Sequence, residues 1–217
     1  WRNTAAELES YLEELTRTDR AEYLRPNFFA NTPDILHEYL QRGGRPAFKV
    51  RAALAATLSQ AYGIYSGFEL CENVPLRPGS EEYLDSEKYE LKWRDWKSPT
   101  SLAPYLTRLN AIRNDNPALR GYTNLRFHAS TNPDLLAYSK ATAPGDNRVL
   151  VVANLNPQSP EEGMVTLDGP PLQLTVQDSY IVHDLISGQS YPWRGLVNYV
   201  RLDPRIEPVH IFRLEPK

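Results

Sequence analysis

The sequence contains few of the residues that build covalent cross-links or metal sites. Its 217 residues include one cysteine, Cys71, which cannot form an internal disulfide and therefore fits a reducing, cytoplasmic environment. The four histidines are scattered, and none has metal-ligand spacing with Cys71 or with another histidine. We therefore expect neither a metal nor an organic cofactor.

Long apolar runs and a strongly basic face are also missing. No apolar run approaches the ~20 residues that a membrane-spanning helix requires. The net charge is −3, and acidic and basic residues are interspersed. Because binding to nucleic acid depends on a basic face that neutralises phosphates, we expect neither a nucleic acid nor a membrane as partner. The hydrophobic fraction of 41% is sufficient for a real core.

The first part of the chain alternates helical and strand patterns. A capping box of Thr4 and Glu7 opens the first helix, and its position just behind Trp1 indicates a fragment of a longer protein. This order of elements predicts parallel strands joined by helical crossovers. The predicted elements are helix 4–16, strand 23–30, helix 35–40, helix 47–58, strand 63–68 and helix 102–114.

The pattern changes to short runs of period two from about Gly121 onward. Turn residues separate these runs, which together predict an antiparallel β-sandwich. We therefore predict two domains: residues 1–118 form the last strands and helices of a (β/α)8 barrel, and residues 119–217 form the sandwich. A complete barrel needs ~250 residues, so most of it would lie outside this chain. The predicted strands are 125–128, 135–140, 148–154, 164–167, 180–184, 198–202 and 209–214.

Polar residues follow both predicted parallel strands. Asp34 comes after the first strand, Glu69 ends the second, and a loop with Lys88 and Tyr89 follows. Because barrel enzymes build their sites at the carboxyl ends of the strands, we expect these residues to face one rim. The local pattern leaves two other interpretations open. Asp34 would serve equally well as the N-cap of the next helix, and Lys88 and Tyr89 would suit an ordinary solvated loop.

Four further residues have more than one interpretation. Trp93 and Trp96, three positions apart, would either stack on sugar rings or pack their loop against the barrel. Arg45 and Lys49 would either contact a phosphate or serve as helix and surface charges, and we favour the second interpretation.

Several motifs of the first part resemble the α-amylase superfamily. FFANTPD, at residues 28–34, is similar to the superfamily's fourth signature, and GIYSGFE, at residues 63–69, resembles its eighth-strand motif. With EYLQRGGRPAFK and EEYLDSEKYE they resemble the bacterial group that transfers maltosyl units from maltose 1-phosphate to α-1,4-glucans. Thr32-Pro33 replaces the histidine usual before this aspartate, as in that group, which argues against generic amylase activity.

The resemblance implies a retaining mechanism whose nucleophile and acid/base lie on barrel strands outside this chain. Asp34 would be the third carboxylate, which hydrogen-bonds the sugar at the cleavage point, and Lys88 and Tyr89 match positions that hold the second glucose. It further implies a homodimeric full-length protein and an inactive isolated chain. Two other functions stay open: a related hydrolase or trehalose-forming isomerase, and a non-catalytic carbohydrate-binding module.

Overall fold

Helices and one parallel strand pair form the first part of the chain. The computed structural model describes residues 2–87 and 91–216. Within these ranges, every helix is too short or too polar to cross a membrane. Two 3-10 turns, Phe68–Leu70 and Pro117–Arg120, connect larger elements. The elements of this part are α1 Ala5–Arg17, α2 Arg20–Tyr23, β1 Asn27–Phe29, α3 Glu38–Leu58, β2 Ala61–Gly63 and α4 Ala103–Asp115.

The predicted capping box begins α1. The Glu7 N–H donates to Thr4 Oγ1 at 3.3 Å, and the Thr4 N–H donates to Glu7 Oε2 at 3.1 Å. These reciprocal bonds satisfy donors that the first helical turn leaves without partners. Leu8 and Leu12, one turn apart, are buried behind the cap. The predicted first helix is therefore confirmed.

The two parallel strands are shorter than predicted. β1 pairs with β2 in parallel, with Phe28 opposite Tyr62. The second predicted strand, residues 63–68, is wrong beyond Gly63, where β2 ends. Gly67 then takes a left-handed φ of 92°, and residues 68–70 form a 3-10 turn. Glu69 therefore lies in this turn, and its predicted place at a strand end is wrong.

Helix α3 contains the predicted break. Gly44 has φ 58° and ψ −159°, so the helix consists of two pieces that meet at this residue. Pro46 lies at the start of the second piece, where a missing N–H costs no helical hydrogen bond. The second piece is buried on nearly all sides, as its apolar sequence predicts; Ala47, Phe48 and Ala52 have no exposed surface.

The second part is antiparallel, as predicted, but its strands form one ladder. Eight strands pair in the order β8-β7-β10-β5-β4-β3-β6-β9, and the two end strands approach each other. The ladder thus bends into a nearly closed sheet where the sequence predicted a sandwich of two sheets. The elements are β3 Leu125–Ser130, β4 Leu135–Ala141, β5 Arg148–Asn154, β6 Glu161–Thr166, α5 Gly169–Leu172, β7 Ser179–Asp184, β8 Ser190–Arg194, β9 Val197–Leu202 and β10 Val209–Pro216.

Strand β8 is absent from the sequence prediction. Pro192 lies in its middle, and a proline within a run argues against a strand because it lacks the N–H of the ladder. The structure accommodates Pro192 because β8 is a terminal strand of the ladder, and among the described residues it pairs with β7 alone.

The two faces of the central strands β4 and β5 contact different cores, so both strands are fully buried apart from Ala141. One face, which includes Leu135 and Val152, lies inside the bent sheet. The opposite face, which includes Leu136 and Val151, packs against the helices of the first part. The helices thus share one apolar core with this second face of the sheet.

Polar contacts also join the two parts. The Lys49 ammonium lies 2.7 Å from the Glu207 carboxylate, and only about 15% of each side chain is exposed. The Arg108 guanidinium donates to the Leu185 carbonyl at 2.6 Å. Lys49 is thus a bridge between helix α3 and the sheet, where the sequence analysis favoured a surface charge.

Two cations cover the carboxyl end of α3, where the last carbonyls of a helix lack intrahelical partners. Lys140 donates to the Leu58 carbonyl at 3.3 Å and to the Gly121 carbonyl at 2.9 Å. Arg113 donates to the Ala56, Ser59 and Gln60 carbonyls. Both cations are favoured there by the helix dipole. Lys140 is nevertheless 1% exposed, which disfavours its charged form.

We predict that Lys140 makes the stability of the protein depend on pH. Burial, together with the charge of Arg113, lowers the pKa of Lys140 to about 7. An unfolded lysine keeps its proton to about pH 10.4. Between pH 7 and 9 the unfolded chain therefore binds more protons, and the stability contributed by this group rises with pH, by at most about 1.4 kcal/mol per pH unit.

Lys140→Met should remove this rise, measured as the free energy of unfolding in urea at pH 7, 8 and 9. The exposed Lys97→Met is the matched control and should keep the wild-type slope. An identical slope in the wild type and Lys140→Met would contradict the prediction.

Candidate functional site

A buried asparagine connects the carboxyl ends of β1 and β2. Asn31, two residues beyond β1, is 1% exposed. Its Oδ1 accepts a hydrogen bond of 2.8 Å from the N–H of Tyr65, which lies two residues beyond β2. Its Nδ2 donates a hydrogen bond of 2.7 Å to Tyr83 Oη. Asn31 thus extends the strand pairing and fixes the loop above it. Asn31 belongs to the FFANTPD motif, which predicted no role for it.

Two tyrosines continue this network into the loop. The rings of Tyr65 and Tyr83 lie 5.5 Å apart, and Tyr65 Oη accepts from the Glu87 N–H at 2.8 Å. Burial raises the pKa of Tyr83 to about 12, so its hydroxyl stays protonated at neutral pH. The backbone just before Lys88 is therefore held to the end of β2.

Arg94 fastens the same loop from its other side. Its guanidinium, 2% exposed, lies 2.8 Å from one Glu72 oxygen and 2.9 Å from a Glu87 oxygen. Burial disfavours the charged guanidinium, but its bonds to Glu72 and Glu87 outweigh burial and raise the pKa of Arg94. In return the Arg94 guanidinium lowers the pKa of Glu87. Arg94 was not singled out from the sequence, because no local pattern marks it.

The ion pairs of Arg94 with Glu72 and Glu87 form a clamp on the loop. The turn at Gly67 makes room for this clamp. A Cβ atom at position 67 would lie 2.4 Å from Glu72 Oε2, and the φ of 92° also favours glycine. Glycine therefore lets the backbone pass beside the Glu72 carboxylate that Arg94 binds.

Asp34 lies at the tip of a tight turn close beyond β1. Thr32 and Ile35 exchange two backbone hydrogen bonds of 3.2 Å, which leave Pro33 and Asp34 at the tip. Asp34 is exposed. It does not cap α3, because the N-cap is His37, whose Nδ1 accepts from the Tyr39 N–H at 3.1 Å. The alternative interpretation of Asp34 as a helix cap is therefore wrong.

The remaining sequence candidates have mixed outcomes. Lys88 and Tyr89 lie outside the described residues, and their assignment as sugar-binding residues stays a prediction. Glu69 Oε2 is buried in its 3-10 turn and has no hydrogen-bond partner among the described residues. Arg45 donates to the Thr100 and Ser101 carbonyls and so ties two segments together. Within the described ranges, no group of three or more His, Cys, Asp and Glu residues lies close enough to hold a metal ion.

The arrangement combines a fixed frame with an exposed carboxylate. Asn31, Tyr65, Tyr83 and Arg94 use side-chain hydrogen bonds to hold backbone and carboxylates in place, which orients a loop at low entropic cost. Asp34 projects from a turn that begins one residue beyond this frame. A carboxylate so placed suits hydrogen bonding to vicinal hydroxyl groups, because both of its oxygens accept.

Comparison with known proteins agrees with the resemblance predicted from the sequence. Residues 127–214 match the protein family described as "GLGE, C-terminal". The whole chain is similar to α-1,4-glucan:maltose-1-phosphate maltosyltransferase 2 of Streptomyces coelicolor, with 59% identity over 218 residues, 99% of this chain and 32% of that protein. The predicted resemblance to the maltosyltransferases is confirmed. The maltosyltransferase of Rhodospirillum rubrum is 48% identical over 216 residues, 100% of this chain and 31% of that protein.

The chain thus spans about a third of the length of the curated maltosyltransferases it matches. Among solved structures, an α-amylase from Anoxybacillus covers 99% of this chain with a TM-score of 0.68 and 17% identity, and the chain covers 43% of it. At this identity the likeness establishes a shared α-amylase-type fold.

We predict that Asn31 is the main stabilising residue of this site. Asn31→Leu keeps the approximate size but leaves the Tyr65 N–H and the Tyr83 hydroxyl without their partner. The expected loss is about 1–3 kcal/mol for each buried group left unpaired. Tyr83→Phe removes only one bond and should cost less. The measurement is the free energy of urea unfolding.

The double variant Asn31→Leu/Tyr83→Phe provides the control. Because the two side chains bond each other, the double variant should lose less stability than the sum of the single losses. Strictly additive losses would show that the two residues act independently.

Proposed function

We propose that the full-length protein carrying this chain is a retaining maltosyltransferase that moves maltosyl units from maltose 1-phosphate to the non-reducing end of α-1,4-glucans. The observation that carries the proposal is the 59% identity to a maltosyltransferase along 99% of this chain. The proposal includes a homodimeric, cytoplasmic protein that needs no cofactor.

We also infer that residues 1–118 are the last part of a (β/α)8 barrel and that residues 119–217 form its β-domain. Parallel strands are normally covered on both faces, yet Phe29 on β1 is 53% exposed. A cavity of about 390 Å³ adjoins β1 between α1 and α3, with Phe28, Leu12 and Leu54 in its wall. An exposed face and an apolar cavity at the free edge of β1 support a contact with further barrel strands.

In the proposed reaction, the rest of the protein supplies the aspartate nucleophile and the acid/base. Asp34 accepts hydrogen bonds from hydroxyl groups of the glucose at the cleavage point, and these bonds strengthen as positive charge develops on the ring. Lys88 and Tyr89 hold the second glucose of the maltosyl unit. The ion pair of Arg94 with Glu87 holds the residue that precedes Lys88 in the sequence.

We predict that Asp34→Asn in the full-length protein lowers kcat for maltosyl transfer. The expected loss is about 100- to 1,000-fold, as for removal of one group that stabilises a transition state. Phosphate release from maltose 1-phosphate with a glucan acceptor is the measurement. Asp115→Asn, an exposed carboxylate at the end of α4, is the matched control and should keep wild-type activity. Unchanged kcat in Asp34→Asn would remove Asp34 from the mechanism.

Product analysis of the same reaction tests the function itself. Glucan chains that lengthen in steps of two glucoses, with phosphate release, are expected. Free sugar as the sole product would identify a hydrolase or isomerase instead.

A separate prediction concerns the 217-residue chain alone. It should release no phosphate from maltose 1-phosphate and should bind maltose only weakly, because the nucleophile and the acid/base are elsewhere. Calorimetric titration with maltose checks the binding. Tight binding by this chain without the rest of the protein would favour a carbohydrate-binding module.

A further inference from the structure

The motif EYLQRGGRPAFK, residues 38–49, contributes to the family resemblance, yet the proposed reaction uses none of its residues. The structure brings the first part of this motif into contact with residues 73–83. These residues fold back on themselves, since the Leu76 N–H donates to the Glu82 carbonyl at 2.7 Å. We call residues 73–83 the brace loop, because its contacts reach the segment that carries the candidate catalytic carboxylate.

The brace loop is bonded to both sides of the Asp34 turn. On the side before the turn, Asn31 Nδ2 donates to Tyr83 Oη at 2.7 Å. On the side after it, the Leu36 N–H donates to the Glu81 carbonyl at 2.5 Å. Asn31 and Leu36 are 1% and 0% exposed, so both bonds are shielded from water. The turn is therefore held between two buried contacts with the same loop.

Gln41, on helix α3, reinforces the contact behind the turn. Its Nε2 donates to the Leu36 carbonyl and to the Ser80 carbonyl, each at 2.8 Å. The amide nitrogen carries two hydrogens, and these two bonds use both of them. One side chain of α3 thus fastens the segment that follows Asp34 to the brace loop.

The break in α3 gives the brace loop a second contact with the same residue. The first piece of the helix ends at Gly44, and the last carbonyls of a helix lack intrahelical partners. Asn73 Nδ2, in the brace loop, donates to the Gln41 carbonyl at 3.0 Å. The brace loop therefore holds Gln41 through its backbone as well as through its side chain.

We propose that Gln41 is a positioning residue for maltosyl transfer, which orients the Asp34 turn through its bonds to the Leu36 and Ser80 carbonyls. The inference rests on the proposed function, in which Asp34 bonds the glucose at the cleavage point. A group that stabilises a transition state must be held close to its productive geometry by the residues behind it. Gln41 acts through the turn and not on the sugar.

This role predicts a loss of kcat in the full-length protein. Gln41→Met keeps the length of the side chain and removes both donors. kcat should fall by about 10-fold, less than the roughly 100-fold that a misplacement of about 1 Å can cost. The KM for maltose 1-phosphate should change less, because the bonds of Asp34 tighten in the transition state. Gln60→Met, an exposed position just beyond the other end of α3, is the matched control and should keep wild-type kcat.

A double variant separates positioning from a general loss of stability. In Asp34→Asn no carboxylate is left to position, so the addition of Gln41→Met should lower kcat further by about 2-fold or less. The urea midpoint of unfolding should fall equally in both backgrounds, since the lost hydrogen bonds do not involve the Asp34 side chain. An equal fall in kcat in both backgrounds would overturn the inference, because Gln41 would then act on activity independently of Asp34.

Tyr83→Phe tests the turn from its other side and takes the place of Gln41→Met if that variant does not fold. It removes the acceptor of Asn31 Nδ2, and it should lower kcat in the wild type but not in Asp34→Asn. An unchanged kcat in the folded variant, with Asp34→Asn impaired, would overturn the inference and leave the proposed function intact. Absence of any phosphate release by the wild type would instead refute the proposed function.

Discussion

The candidate site depends on two hydrogen bonds made by one buried amide. Asn31 accepts from the backbone beyond β2 and donates to Tyr83 in the covering loop, so one side chain joins three segments that are distant in sequence. The parallel pair contributes only three residues from each strand. So short a ladder gives little rigidity by itself, and the bonds of Asn31 supply what the strands lack. The turn with Asp34 and the loop before Lys88 both start from this point.

Helix α3 and the antiparallel sheet support the segments that Asn31 joins. Helix α3 begins close to the turn of Asp34 and ends under the sheet, where Lys140 and Arg113 bind its last carbonyls. Its buried second piece shares one core with β4, β5 and β10. The sheet therefore supports helix α3 through this shared core and does not pack as a separate unit. A charge buried at this junction is costly, and the lowered pKa of Lys140 expresses that cost.

Local patterns in the sequence predicted most of the elements. The capping box of α1, the break at Gly44 and most strands of the sheet follow from periodicity and from turn residues. Long-range contacts decided the rest. Glu69 was misplaced because the backbone takes a left-handed turn at Gly67, close beside the Glu72 carboxylate, before it reaches Glu69. Strand β8 was missed because its tolerance of Pro192 depends on its terminal position in the ladder.

The network around Asn31 was not predictable for the same reason. Its tyrosines and Arg94 lie 34 to 63 positions further along the chain, and nothing in the residues near Asn31 marks those partners. The motif that contains Asn31 suggested a carboxylate site, yet the residue that organises the site was the neutral one three positions earlier. The sequence resemblance pointed to the motif that contains Asn31. The structure identified the side chains that hold this region in place.

The break in α3 restricts which amino acids can occupy position 44. Gly44 has φ 58° and ψ −159°, and the nearest atom that an added Cβ would meet is 4.0 Å away, so space is not the restriction. Reversing both signs gives about −58° and +159°, which is the polyproline II region of ordinary residues. The backbone at this position is therefore the mirror image of a common conformation. Handedness alone selects glycine, the one genetically encoded residue that has none.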